Sequence, residues 1–188
     1  GLDLADIREK RTNLNAQEIG DDAERAADWR RNNPPNPGDP ARNPVFDEAD
    51  LAKIVKAGVN RLAEMQLSDG GWGWWKNDKS DPFMTAYVID GLTLAKQAGY
   101  EIDEGRLARG RERLQGMLEA QESSKDLDTH AFMVYALAES GGADSRQVEK
   151  LFAERNKLEP YGRALLTLTL SLLKMDQRAQ QVAAEIER

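Results

Sequence analysis

The chain has 188 residues, of which 40% are apolar, and it carries a formal net charge of -7 with no cysteine. This length suits one domain with a real hydrophobic core, and the acidic balance disfavours nucleic acid or an anionic membrane as the main partner. The lack of cysteine excludes disulfides, thiolate metal sites and cysteine nucleophiles from this sequence.

The sequence has no apolar run long enough to span a bilayer and no charged segment followed by an apolar one at its start. It begins at Gly1 rather than Met, which predicts a piece of a longer protein. The lack of a signal peptide therefore says nothing about where that protein resides.

The first 46 residues divide into two predicted parts. Residues 1–32 are polar with sparse leucines and isoleucines and an Ala-rich stretch, and they predict a short helical segment. Residues 33–46 contain Pro34, Pro35, Pro37, Pro40 and Pro44, so they predict a loop.

From Asp47 onward, amphipathic and apolar helices alternate. Asp47 is the predicted cap of an amphipathic helix that ends near Met65, and Asp81 with Pro82 predicts the start of an apolar helix that ends near Gly99. Amphipathic helices are predicted over 103–121 and from 145 to about 156, and apolar helices over 127–139 and from Pro160. The apolar helices are hydrophobic almost all round, which predicts burial on several sides.

The three apolar helices align as repeats. Ala86, Ala131 and Ala164 fall in register, and each has a leucine six residues later, at Leu92, Leu137 and Leu170. Outer amphipathic and inner apolar helices in alternation are typical of stacked αα hairpins. We therefore predict an all-α fold in which 47–188 forms part of an αα toroid, in one domain with the preceding segments.

The predicted toroid is incomplete. A closed ring of this type needs about six hairpins, and the chain supplies about four. We expect its open edge to be covered by the N-terminal segment or to be exposed and adhesive.

Several motifs resemble the thioester domain of bacterial alpha-2-macroglobulins, a family related to the complement thioester proteins. The resemblance includes Asn13 to Ala26 and Asn43 to Asp47, and it covers most of the chain. The motif residues are Gln66, Asp69, Gly70, Gly71, Trp72, Gly73, Trp74, Trp75, Thr85, Ala86 and Tyr87, with Tyr161, Arg163 and Ala164 in a later helix.

The resemblance implies a structural role inside a large endopeptidase inhibitor that traps proteases. In that family a Cys and a Gln three residues later form a thioester, and the resemblance places this pair upstream of Gly1. The chain would then be scaffold and thioester shielding, with no catalytic residue, metal or cofactor. The resemblance also implies contacts with other domains of the parent, target proteases bound through the parent, and a periplasmic or cell-envelope location.

The same residues are also compatible with other functions. Gln66, Gly70 and Trp72 also resemble the repeat of terpene cyclases, but only one copy is present and no acidic Asp-x-Asp-Asp motif accompanies it. Three tryptophans with Asp69, Asp78 and Asp81 could line a sugar-binding groove of a glycan-active enzyme or lectin. A helical interaction scaffold is a third alternative.

Most single polar residues have a structural interpretation. Asp69 is expected in a turn and Asp81 at a helix cap, and Asp126 and Asp128 are expected to cap the second apolar helix. His130 is the only histidine and lies on an apolar helix, so we expect a core side chain with a hydrogen-bond partner. The leucines of 165–173 are expected in the core.

Overall fold

The computed structural model describes residues 48–120 and 126–186, and every regular element in these ranges is a helix. The predicted helical segment 1–32, the loop 33–46 and the cap at Asp47 lie outside the described residues. The chain divides into two compact units, Gly1–Val55 and Lys56–Arg188. Apart from the first turns of its first helix, the fold that we describe belongs to the second unit.

Within these described ranges, seven α-helices follow one another. They are α1 Glu48–Met65, α2 Pro82–Gln97, α3 Glu104–Ala120, α4 Leu127–Glu139, α5 Ser145–Glu154, α6 Pro160–Leu172 and α7 Asp176–Ile186, with a 3-10 turn at Arg155–Lys157 between α5 and α6. The predicted order of helices is confirmed. The predicted end of α5 near Asn156 was too late, because the chain tightens into the 3-10 turn after Glu154.

The apolar helices form an inner row. Helix α2 packs against α4, and α4 packs against α6, while α3, α5 and α7 pack on the outside of this row. Each inner helix therefore buries its apolar surface against its neighbours, which is how stacked αα hairpins form a core. The predicted all-α fold and its part of an αα toroid are confirmed.

Side-chain caps set where the inner helices begin. Asp81 Oδ1 accepts a hydrogen bond from the Met84 N–H at 2.9 Å, and Asp126 Oδ1 accepts from the Thr129 N–H at 3.1 Å. The prediction for Asp128 was wrong, because its Oδ1 instead accepts from the Glu159 N–H at 3.2 Å, one residue before α6. Asp128 therefore joins the starts of two inner helices.

The repeat register holds for two inner helices and fails at the third. Ala86 and Ala131 are fully buried, and Leu92, Leu137 and Leu170 are also in the core. Ala164 is exposed, contrary to its predicted register. On α6 the buried positions are Leu165, Leu166 and Leu170, because the face of α6 is set by its contacts with α4 and α7 rather than by alignment to α2.

The inner helices are less buried than their composition predicts. One side of α2 and of α6 is exposed to solvent, and we call these residues the open face: Phe83, Tyr87, Leu94, Tyr161, Leu168 and Leu172. Their spacing of four, seven and eleven residues places each set on one side of its helix. The predicted burial on several sides holds for α4, where five consecutive residues from His130 to Val134 are buried, but on α2 and α6 it is corrected to burial on one broad side.

Two of the three glycines of helix α3, Gly110 and Gly116, have opposite surroundings, so substitutions at these positions test how closely α3 packs. A Cβ at Gly110 would lie 2.7 Å from Trp72 Cζ3, whereas a Cβ at Gly116 would have no atom within 4 Å. We expect Gly110→Ala to lower the free energy of unfolding by about 1–3 kcal/mol through overpacking. Gly116→Ala should raise it by about 0.5–1 kcal/mol, because alanine favours the helix.

Urea unfolding followed by circular dichroism measures both changes. The two variants make the same substitution in one helix, so helix propensity is common to them. Equal changes of the same sign would contradict the close approach of α3 to the Trp72 ring.

Candidate functional site

The loop between α1 and α2 carries most of the motif residues. Its start is a tight turn, in which the Gly70 N–H donates to Leu67 O and the Leu67 N–H donates to Gly71 O, both at 2.9 Å. Its end is closed by the Asp81 N–H, which donates to Trp72 O at 2.8 Å. The loop is therefore held by its own backbone between two helices.

Gln66 fastens this loop to helix α3. Its Nε2 donates to Gly70 O at 2.9 Å and to Arg106 O at 2.8 Å. Its Oε1 accepts from Arg109 Nη2 at 3.3 Å. The whole amide group is used in joining the loop to the outer helix, which is a structural task.

Trp72 is the anchor of the loop. Only 2% of its surface is exposed, and its indole Nε1 donates to Leu62 O at 2.8 Å. Its backbone N–H donates to Thr85 Oγ1 at 3.0 Å, and the Thr85 hydroxyl donates back to Trp72 O at 3.1 Å. These contacts join α1, the loop and α2 around one buried ring. Gly71, Gly73 and Ala86 are buried beside it.

Asp69 organises the turn by accepting hydrogen bonds. Its Oδ1 accepts from Ser80 Oγ at 2.6 Å and from the Gly71 N–H at 3.1 Å, and its Oδ2 lies 2.9 Å from Arg113 Nε. Burial would raise the pKa of Asp69, but these hydrogen bonds and the Arg113 charge outweigh it and hold the pKa below its ordinary value. Asp69 is therefore an anionic turn residue.

The carboxylates considered for glycan chemistry are occupied by local structure. Asp69 is held by three partners, and Asp81 caps α2. Asp78 Oδ1 accepts from the adjacent Lys79 N–H at 2.8 Å. Asp69 and Asp78 do line a cleft of about 660 Å³ together with Gln66, Lys79 and Arg113. The carboxylates that a glycosidase would need for acid and base roles are thus turn and cap residues in this loop.

Two motif tryptophans face solvent. Trp74 and Trp75 are 58% and 76% exposed, and with Arg61, Glu64, Met65 and Lys76 they line a cleft of about 480 Å³. Trp72 is absent from this cleft because its ring is turned into the core. The three indoles therefore do not form one aromatic surface.

The remaining motif residues lie in separate places. Tyr87 belongs to the open face, where its ring stacks on Phe83 with 6.2 Å between centroids. Arg163 donates to the backbone oxygens of Arg155 and Glu185, each at 3.3 Å, and so joins α6 to the neighbouring segments. Tyr161 and Ala164 are exposed on α6. The motif residues therefore fall into two groups, one in the loop and the start of α2 and the other on α6.

His130 lies in the core. It is 3% exposed, and its Nε2 lies 3.0 Å from Gln147 Oε1 on α5. The sequence analysis did not identify Gln147 as this partner, although a buried histidine requires one.

A polar cluster on the inner helices was not predicted from the sequence. Asp90 on α2 lies near Tyr135 and Glu139 on α4. Burial, together with the hydrogen bond to Glu139 and the Glu139 charge, raises the pKa of Asp90 to about 7. Burial, the charges of Glu139 and Asp90 and a hydrogen bond with Glu139 together raise the pKa of Tyr135 to about 12. The signal available in the sequence was an acidic residue in the middle of an otherwise apolar helix.

Comparisons of sequence and of structure both find similarity between this chain and alpha-2-macroglobulins. No protein family model matches the chain. It is 45% identical over 64 residues to an alpha-2-macroglobulin of Thermotoga maritima, a match that covers 34% of this chain and 4% of that protein. It is 41% identical over 61 residues to an alpha-2-macroglobulin of Escherichia coli, covering 32% of this chain and 4% of that one. A longer match, 25% identical over 156 residues, covers 77% of this chain and 8% of an alpha-2-macroglobulin homolog from Nostoc.

Solved structures resemble the same fold. The native conformation of Escherichia coli alpha-2-macroglobulin has a TM-score of 0.66 and 23% identity, and the match covers 96% of this chain and 12% of that one. A native fragment of the Escherichia coli protein, from domain MG7 to the C-terminus, has a TM-score of 0.65 and 22% identity, covering 98% of this chain and 31% of that one. At these identities the structural matches bear on the fold alone.

The chain spans between 4 and 8% of the length of these curated relatives. Within 48–120 and 126–186, none of the helices combines the length and apolar character that crossing a membrane requires. The sequence matches and the shared helical fold show that this chain is similar to a part of the bacterial alpha-2-macroglobulins.

Proposed function

We propose that this chain is part of the thioester domain of a bacterial endopeptidase inhibitor that traps proteases, and that it serves as scaffold and as shielding for the thioester. The observation that carries the proposal is the 45% identity to an alpha-2-macroglobulin over 64 residues. The chain has no cysteine, so the thioester would be formed by a Cys and a Gln elsewhere in the parent.

The geometry of the motif residues supports a scaffold role. Gln66, Asp69 and Trp72 are each engaged in several hydrogen bonds or ion pairs that join α1, α2 and α3. Side chains committed in this way hold a loop in one shape. The family motif would then preserve the wall of the toroid rather than carry out acyl chemistry, and we propose no enzymatic activity for the chain itself.

Partners and location follow from the same proposal. The open face and the exposed tryptophans would be available to other domains of the parent, and target proteases would be bound through the parent. The location would be the periplasm or the cell envelope. The net charge of -7 gives no support for nucleic acid as a partner.

The proposal is tested by the intact mass of the full-length parent before and after treatment with methylamine, with free thiol counted in parallel. We expect one methylamine to be incorporated for each thiol released, because the amine opens the thioester by acyl transfer. A parent in which the thioester cysteine is replaced is the matched control and should take up no amine.

Two results would contradict the acyl mechanism. One is a parent that gains neither mass nor thiol, and the other is equal uptake by the cysteine variant. The helical interaction scaffold would then be the better account of this chain.

A further inference from the structure

Asp90 and Glu139 meet between two inner helices without a cation to neutralise them. Asp90 lies in the middle of α2, and Glu139 is the last residue of α4, which packs against α2. Asp90 Oδ1 and Glu139 Oε2 are both buried, and neither accepts a hydrogen bond from a donor in the described part of the chain. The Tyr135 hydroxyl, which is hydrogen-bonded with Glu139, is the neutral titratable group beside them. Two half-buried carboxylates that are adjacent and both ionised would repel each other.

The charged groups of the surrounding helices are committed elsewhere. On α2, Lys96 pairs with Glu104 at 2.7 Å, and on α3 the Arg111 guanidinium donates to Ser140 O. The only charged residue of α6, Arg163, donates to backbone oxygens.

Ion pairs also occupy several other charged side chains of α3 and α5. Arg106 pairs with Asp103 and Arg113 with Asp69, and on α5 Arg146 pairs with Asp144, Glu149 with Arg178 and Glu154 with Lys157. Lys157 lowers the pKa of Glu154 by its hydrogen bond and charge, and the charges of Lys150 and His130 lower it as well. Across the described residues, Asp90 and Glu139 belong to no ion pair.

A shared proton resolves this arrangement. If one carboxyl group is protonated, its O–H donates to an oxygen of the other, and one charge is removed from the pair.

We propose that Asp90 and Glu139 share one proton, so that an acid-carboxylate hydrogen bond joins inner helices α2 and α4 and is lost when the pair becomes doubly ionised. On deprotonation the O–H bond breaks, the proton passes to solvent, and two like charges remain at the contact. The inner wall is then weakened as the solution becomes more alkaline.

The pH range follows from the pKa of Asp90. Burial, the hydrogen bond to Glu139 and the charge of Glu139 together raise it from 3.8 to about 7. Because the folded state holds the proton more tightly than the unfolded chain, the contribution of the pair is complete below about pH 4. It is lost as the pH rises through about 7.

Asp90→Asn tests this in the full chain. The amide keeps the shape of the side chain and can donate permanently to Glu139. We expect the melting temperature of the variant to exceed that of the unmodified chain by several degrees at pH 8. This difference should shrink or reverse at pH 5. Glu112→Gln, an exposed glutamate on α3, is the matched control and should give the same small difference at both pH values.

Carbon-13 NMR of the Asp and Glu carboxyl groups in the unmodified chain measures the proton directly. We expect a carboxyl resonance that titrates near pH 7 and that disappears or moves below pH 5 in Asp90→Asn. The proposal is overturned if every carboxyl titrates below pH 5, or if the Asn variant and the unmodified chain show parallel melting temperatures from pH 5 to pH 8. Glu139→Gln is the reciprocal variant and should remove the same titration even if Asp90→Asn does not fold.

Discussion

Trp72→Ala should destabilise the chain by about 3–5 kcal/mol. The ring is 2% exposed, and it lies against Gly110 of α3 and near Ile89 of α2. Removing it leaves a cavity where three helices meet, and the Leu62 carbonyl loses its donor. Since the whole stability of a domain is about 5–15 kcal/mol, a large part of it depends on this one side chain.

Trp75→Ala is the control because Trp75 lies three residues away in the same loop and is 76% exposed. It should change the free energy of unfolding by no more than about 0.5 kcal/mol. Urea unfolding of both variants, followed by the helical circular dichroism signal, gives the comparison. Similar losses for the two tryptophans would refute the placement of Trp72 as the anchor.

Gly70→Ala is expected to cost about 3 kcal/mol, the second largest effect. Gly70 has a φ of +90°, where an L side chain is strained, and its Cβ would lie 2.7 Å from Arg109 O. Because that oxygen belongs to the α3 backbone, either the loop or the helix must shift. The shift would also disturb the Gln66 hydrogen bonds to Gly70 and Arg106.

Gly99→Ala separates the cost of the strained backbone from the cost of the steric contact. Gly99 has nearly the same φ, +88°, but a Cβ there would have no atom within 4 Å. It should lose only the backbone term, about 1 kcal/mol. The denaturant midpoints of the two variants, measured at equal slopes, give the difference in their free energies of unfolding. Equal losses of stability would show that the loop does not approach α3 as closely as described.

The two predictions bear on the proposed function as well as on stability. Both sites belong to the motif loop, and neither Trp72 nor Gly70 is exposed enough to contact a protease. If the loop is scaffold, these variants should lose stability while the parent's thioester, when folded, still reacts with methylamine. Loss of amine uptake in a fully folded parent would instead indicate a direct role for the loop at the thioester.

Local signals in the sequence were sufficient for the helices and their starts. Asp81 with Pro82, and the Gly-rich loop before them, are patterns in which neighbouring residues determine the backbone conformation. The alternation of amphipathic and apolar helices likewise predicted which helices form the inner row. These features depend on residues a few positions apart, so the sequence records them directly.

Apart from the end of α5, the failures involve contacts between distant residues. The alignment put Ala164 in register with Ala86 and Ala131, which are buried, but Ala164 is exposed because the rotation of α6 depends on how α4 and α7 pack against it. Asp128 was assigned to its own helix, yet its carboxylate meets the Glu159 N–H 31 positions away. Composition also overestimated the burial of the inner helices, because their open face depends on which neighbours surround them.

The sequence by itself determined the helical class, the order of inner and outer helices and the motif that relates this chain to bacterial alpha-2-macroglobulins. Only the tertiary structure decided that Trp72 is turned inward while Trp74 and Trp75 face solvent, and that Asp90 meets Glu139. Secondary structure follows from short-range hydrogen bonding and hydrophobic periodicity, which the chain carries locally. Burial and the pairing of charges follow from the packing of helices, which no local pattern specifies.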